Sequence, residues 1–165
     1  MDDAGIYSVL VGGAVVAIYT EGLYRSGDLD IVPDDFQRKK LGHTLEGLGF
    51  RTGKGRYYEH PLCKHLVVEF PKGPVELGEE HPVIADEIEY QGKTIRLLSP
   101  TDCVKDRLAS YIHWGTRDCF DQAVLVCQRQ SERVDLENLR KWCDSEGGSY
   151  AYEELLKQLA GLESE

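Results

Sequence analysis

Asp28 and Asp30 are the two side chains of this sequence whose type and spacing most directly imply chemistry. They stand two apart in Ser26-Gly27-Asp28-Leu29-Asp30-Ile31-Val32. In an extended strand, residues two apart leave the same face, with Cα atoms about 6.6 Å apart. Two parallel carboxylates supply the hard oxygen ligands that a divalent cation such as Mg2+ requires. Leu29 and Ile31 then point to the opposite face and can enter a core. One side of the strand is set up to bind metal and the other to be buried.

The residues before this strand add a second chemical function. Tyr7-Ser8-Val9-Leu10-Val11 reads as a buried strand, and residues 14–23 as a helix. Gly12-Gly13 forms the turn between them. Without side chains, the backbone there can approach a phosphate closely, with N–H groups at the start of the helix facing it. A phosphate cradle and a pair of metal-binding acids, one helix apart, point to a nucleoside triphosphate site.

The arrangement resembles the nucleotidyltransferase superfamily typified by DNA polymerase beta. That signature is Gly-Gly or Gly-Ser, a helix, then Ser or Thr, any residue, Asp, a spacer and Asp. Gly12, Gly13, Ser26, Asp28 and Asp30 fill those positions, and the resemblance spans roughly residues 7–70. It implies a third carboxylate on a neighbouring strand, flanked by apolar residues. Leu66-Val67-Val68-Glu69-Phe70 fits, which makes Glu69 the candidate, with Glu59 and Glu76 as alternatives. Arg25, next to Ser26, adds positive charge.

A second resemblance covers residues 95–127. The run through Ser99-Pro100-Thr101-Asp102, Lys105-Asp106-Arg107-Leu108 and Arg117-Asp118-Cys119-Phe120-Asp121 is similar to small nucleotidyltransferases of abortive-infection toxin systems. That group carries a Lys-Leu pair and an Arg-Asp-x-x-Asp motif here. This chain has Arg107 before Leu108, with Lys105 two residues earlier. The resemblance implies that Arg107, Asp118 and Asp121 serve the nucleotide. Helix chemistry offers another reading of the same acids: Asp118 in a first turn favours the helix dipole, and Arg117 pairs with Asp121 four residues on.

Taken together, the resemblances imply a Mg2+- or Mn2+-dependent enzyme that moves a nucleoside monophosphate from an NTP, ATP among them, to an acceptor hydroxyl. Asp28, Asp30 and Glu69 would be catalytic and metal-binding; Gly12, Gly13, Ser26 and Arg25 would bind nucleotide. The acceptor stays open between tRNA, a protein and a small molecule. A toxin-antitoxin setting adds a cognate antitoxin or other partner protein. The alternative is a non-catalytic module that keeps the fold for nucleotide or partner binding.

Composition narrows the field. The net charge of −10 argues against a general nucleic-acid coat protein. Between Gln37 and His65, however, seven Lys or Arg face two acids, Glu46 and Glu59. This is either a basic loop and solvated helix face, or a receiver for a triphosphate or a polyanionic acceptor. Five cysteines without a Cys-x-x-Cys pair fit reduced thiols in the cytoplasm. His60, Cys63 and His65 match no standard zinc spacing. No apolar run is long enough to span a membrane.

The elements that must hold these residues give an α+β fold: a nucleotidyltransferase-like mixed sheet flanked by helices over residues 1–98, then a helical segment over residues 99–165. A helix is expected from Pro33 to about Leu48, capped by Asp34 or Asp35. Two short strands lie within 50–59 and another within 65–70. Strands over 84–90 and 93–98 should form a hairpin across Gln91-Gly92. Ser99, Pro100 and Asp102 read as a capping box with Pro at the first helical position. Val104, Leu108, Tyr111 and Ile112 make the first apolar stripe. Thr116 should cap the next helix, whose apolar face is Phe120, Ala123, Val124 and Cys127. Leu136, Leu139 and Trp142 mark a third helix, and Tyr152, Leu155, Leu156 and Leu159 a fourth.

Overall fold

The computed structural model describes residues 1–33, 38–53, 57–71, 75, 77 and 83–162. Asp34, Asp35, Lys54, Arg56 and Glu76 lie outside the described residues, as does most of the loop from Pro71 to Pro82. The strands are β1 (Ser8–Val11), β2 (Asp28–Pro33), β3 (Arg51–Thr52), β4 (Tyr57–Glu59), β5 (Val67–Glu69), β6 (Asp86–Tyr90) and β7 (Lys93–Leu97). The helices are α1 (Gly13–Tyr19), α2 (Arg38–Gly47), α3 (Pro100–Trp114), α4 (Arg117–Arg129), α5 (Leu136–Ser145) and α6 (Ser149–Leu162). Among the described residues, all the strands precede Ser99 and four helices follow it.

The seven strands form one mixed sheet in the order β3-β4-β5-β2-β1-β7-β6. β1 runs antiparallel to β2, which places Val11 opposite Asp30. β2 runs parallel to β5, and β1 parallel to β7. The β6–β7 hairpin turns at Gln91 and Gly92, both with positive φ, the backbone of the tight turns that match sheet twist.

The sheet's back face is closed by α2. Leu41 and Leu45 of that helix pack with Val68 and Phe70, and Leu29 and Ile31 join the same cluster. The apolar alternation of β2 is therefore used as its sequence implies. A larger core joins Val9, Val15, Val16, Leu97 and Leu98 to Val104, Leu108, Phe120, Ala123, Leu139, Trp142 and Leu155. Trp142 also donates its indole N–H to the Leu77 carbonyl at 3.0 Å, which ties α5 to Leu77.

Local signals explain most helix ends. The Ser99 hydroxyl accepts the Asp102 N–H at 3.1 Å and donates to the Asp102 carboxylate at 2.8 Å, with Pro100 in the first turn. Gly115 ends α3 in the left-handed conformation. Thr116 occupies the N-cap position of α4, but its hydroxyl makes no capping bond. Asp135 caps α5 through the Asn138 N–H at 2.9 Å. α1 is shorter than the expected 14–23. It ends at Tyr19 because Glu21 and Gly22 both turn to positive φ, and the Gly22 N–H reaches back to the Ala17 carbonyl.

Candidate active site

The site is built on the register of three strands. β2 and β5 pair so that Asp30 stands opposite Glu69 and Asp28 opposite Val67. Residues opposed across a strand pair share a face, and residues two apart do too. Asp28, Asp30 and Glu69 therefore rise from one face of the sheet, while Leu29 and Val68 enter the core behind it. Glu69 is 7% exposed.

Gly12 and Gly13 close one end of this face. Gly12 is buried with φ of +72°, and a Cβ built on it would stand 2.5 Å from Asp30 Oδ2. The carboxylate and the turn are in contact only because that position has no side chain. A Cβ on Gly13 would meet Ser26 Oγ at 3.0 Å and the Tyr24 ring at 3.3 Å. Ser26 donates to Asp28 Oδ1 at 2.7 Å, and its hydroxyl also lies 2.9 Å from the Asp28 carbonyl. The hydroxyl thus orients the first carboxylate and borders the glycine turn. Because α1 has only seven residues, the turn's contribution is close backbone approach more than helix dipole.

Electrostatics single out Asp30. Burial pushes its carboxyl up to about 6 from an ordinary 3.8, and the charges of Asp28 and Glu69 push in the same direction. Arg107 opposes the shift and Asp106 adds to it. Both residues lie in the middle of α3 and act on Asp30 through their charge. Arg107, 14% exposed, donates to the Asp106 carboxylate from Nε at 3.1 Å and from Nη2 at 2.6 Å. Its Nη1 reaches Gln122 Oε1 at 3.4 Å and the Cys119 thiol at 3.8 Å, both on α4.

The other sequence candidates fall elsewhere. Lys105 is 3% exposed and pairs with Asp102 at 3.5 Å, inside the helical half. Arg25 is exposed beside Ser26. Asp118 and Asp121 are exposed on α4, and Asp121 lies 3.3 Å from Arg117, the i,i+4 pair of ordinary helix chemistry. Glu59 lies on the carboxylate face, one strand beyond Val67. Asp106 and Gln122 were not singled out by the sequence reading. Adjacency to Arg107 was the available signal for the first; nothing marked the second.

The donor chemistry suits a hard divalent cation: oxygen ligands only, with like charges that raise Asp30 and that a cation would relieve. Among the described residues, no three His, Cys, Asp or Glu side chains are gathered closely enough to form a ready metal cage. Ligation would draw the three carboxylates inward.

This fold recurs in solved structures. A solution structure of the antibiotic-resistance factor ANT(2")-Ia matches with a TM-score of 0.54 and 18% identity, over 93% of this chain and 90% of that one. The chain has a nucleotidyltransferase-like fold. A crystal structure of ANT(2")-Ia in complex with adenylyl-2"-tobramycin matches at 0.59 and 16% identity, over 90% of this chain and 91% of that one. An antigenic nucleotidyltransferase-like protein from Paracoccidioides brasiliensis matches at 0.57 and 18%, over 92% and 86%. No protein-family model matches the chain, and no curated protein matches it in sequence. Among the described residues no helix is long and apolar enough to cross a membrane.

Proposed function

We propose that the protein is a metal-dependent nucleotidyltransferase that moves a nucleoside monophosphate from an NTP to an acceptor hydroxyl. The observation that carries this reading is the register that sets Asp30 beside Glu69, on the face of Asp28 and against the Gly12–Gly13 turn. Asp28, Asp30 and Glu69 would hold Mg2+ or Mn2+, which when bound would offset negative charge on the triphosphate. The Gly12–Gly13 backbone and the Ser26 hydroxyl would fix the phosphates. The Arg107 guanidinium, held by Asp106, would offset charge at the same end. Glu69 would accept the proton of the acceptor hydroxyl as its oxygen bonds to the α-phosphorus and pyrophosphate leaves. Nothing in this scheme selects the base, so ATP is one candidate substrate among the NTPs.

A small-molecule acceptor is favoured by the neighbour bound to adenylyl-2"-tobramycin, a nucleotidylated small molecule. A toxin-antitoxin setting, with an RNA or protein acceptor and a partner protein, would rest on Asp118 and Asp121, which are exposed on α4. The test is label transfer from each α-labelled NTP with Mg2+ and cell extract, using Asp28→Asn/Asp30→Asn as control. Label on an acceptor, absent in the control, supports the enzyme.

A second reading is a nucleotide-binding module without turnover, since no three His, Cys, Asp or Glu side chains among the described residues form a ready metal cage. Mg2+-dependent NTP binding with no transfer to any acceptor would select it.

A further inference from the structure

The carboxylate face continues beyond Glu69. β4 pairs antiparallel with β5, so Tyr57 stands opposite Glu69 and Glu59 opposite Val67. Two rows therefore cross the same face: Tyr57, Glu69 and Asp30 in one, and Glu59, Val67 and Asp28 in the other. With neighbouring strands about 4.8 Å apart, Tyr57 lies roughly 10 Å from Asp30 along its row.

An open hollow of about 460 Å³ occupies this end of the sheet, lined by Gly53, Tyr57, Glu59 and Val67. Tyr57 is 38% exposed. Gly53 lies close beneath Glu59, since a Cβ there would approach Glu59 Oε1 to 2.9 Å. Arg51 stands opposite Glu59 on the edge strand and is exposed.

We infer that Tyr57 and Glu59 form the acceptor-side wall of the site, and that the acceptor is a small hydroxylated ring compound of carbohydrate type. The inference rests on the transfer-site reading of Asp28, Asp30 and Glu69 given above. The hollow is the size of a small-molecule pocket. Tyr57 offers a flat apolar face with a polar tip. Glu59 accepts hydrogen bonds and Arg51 donates them. A sugar ring matches all three, with apolar C–H faces and a rim of hydroxyls that both donate and accept. A ring seated on Tyr57 would place a hydroxyl beside Glu69, its neighbour in the row.

Saturation-transfer NMR tests this with three probes: trehalose, tobramycin and a single-stranded oligoribonucleotide. Wild type should transfer saturation to the ring protons of at least one of the two sugars. Tyr57→Ala and Glu59→Gln should each weaken that signal by about five-fold or more, and Tyr57→Phe should retain most of it. Circular dichroism should show all variants folded, since both side chains are exposed at the surface. Absence of transfer to both sugars in wild type, or variants that bind as wild type does, would overturn the inference. Oligoribonucleotide binding abolished by Tyr57→Ala would overturn it as well. Mg2+-dependent NTP binding, measured by calorimetry on the same samples, reports on the carboxylates separately. Its absence from wild type would remove the transfer-site reading, while the sugar signal still decides the role of Tyr57 and Glu59.

Discussion

Gly12 and Asp30 are in contact across β1 and β2, so close that a single methyl group on Gly12 would stand 2.5 Å from the Asp30 carboxylate. The glycine is also at φ of +72°, where an L side chain is strained. Gly12→Ala therefore carries two penalties, one in the backbone and one against a half-buried charge. The expected cost is about 1–3 kcal/mol of stability. Gly27→Ala is the control, since nothing lies within 4 Å of its Cβ position. Thermal melts of the two variants should separate by several degrees, and Mg2+-dependent NTP binding should be lost only in the first.

Asp30 makes the metal-free protein sensitive to pH. A carboxyl raised to about 6 binds its proton more tightly in the fold than in the unfolded chain. Its contribution to stability is fully present below the unfolded value near 4 and is lost as pH rises through about 6. At about 1.4 kcal/mol per pH unit the shift sets a ceiling of about 3 kcal/mol, which solvent screening of this half-buried group lowers to roughly 1–2 kcal/mol. Denaturant midpoints measured in chelator should fall between pH 4 and pH 7. Asp30→Asn should flatten that slope and be at least as stable as wild type at pH 7. A slope unchanged in the variant would assign the pH dependence to another group.

Arg107 is held by groups on two helices, and its charge acts on Asp30. Arg107→Met would leave the Asp106 carboxylate without its partner, at a cost of about 1–3 kcal/mol. It would also remove the positive charge that holds Asp30 down, so the Asp30 carboxyl should titrate higher still. Carbon-detected NMR of the Asp30 side chain reads this directly. Arg107→Lys keeps the charge but loses the two-pronged bond to Asp106. It should restore the titration more completely than the stability.

Trp142 tests the shared core away from the carboxylate face. It is fully buried and bonded to the Leu77 carbonyl. Trp142→Ala should cost about 3–5 kcal/mol. Trp142→Phe keeps most of the packing and leaves one carbonyl unpaired, at about 1–3 kcal/mol. Affinity for Mg2+-NTP at a temperature where the variants stay folded should be unchanged.

How much of this was legible before the fold was known differs by residue. Asp28, Asp30, Gly12, Gly13 and Ser26 lie within one short stretch, where local spacing carries the information. Alternation alone placed Leu29 and Ile31 on the buried face. The Ser99–Asp102 cap and the Gln91-Gly92 turn are local too, and each was readable from a few residues. The end of α1 was not. Nothing in Thr20-Glu21-Gly22 fixes where the chain leaves the helix until Glu21 itself adopts positive φ. The relation of Tyr57 to Glu69 was also out of reach, since strand register depends on which partners meet in the sheet. The same holds for Arg107 and Gln122, whose meeting needs the packing of α3 on α4.

The cysteines give the protein a practical property. Cys103, Cys119, Cys127 and Cys143 are buried, and burial pushes the Cys127 and Cys143 thiols up to about 12. Cys63 alone is exposed, on the connection between β4 and β5. A maleimide reagent should therefore modify the native protein once, at a position flanking the strand that carries Tyr57. An environment-sensitive fluorophore attached there would report ligand arrival at the sheet face without any change to the residues that bind it.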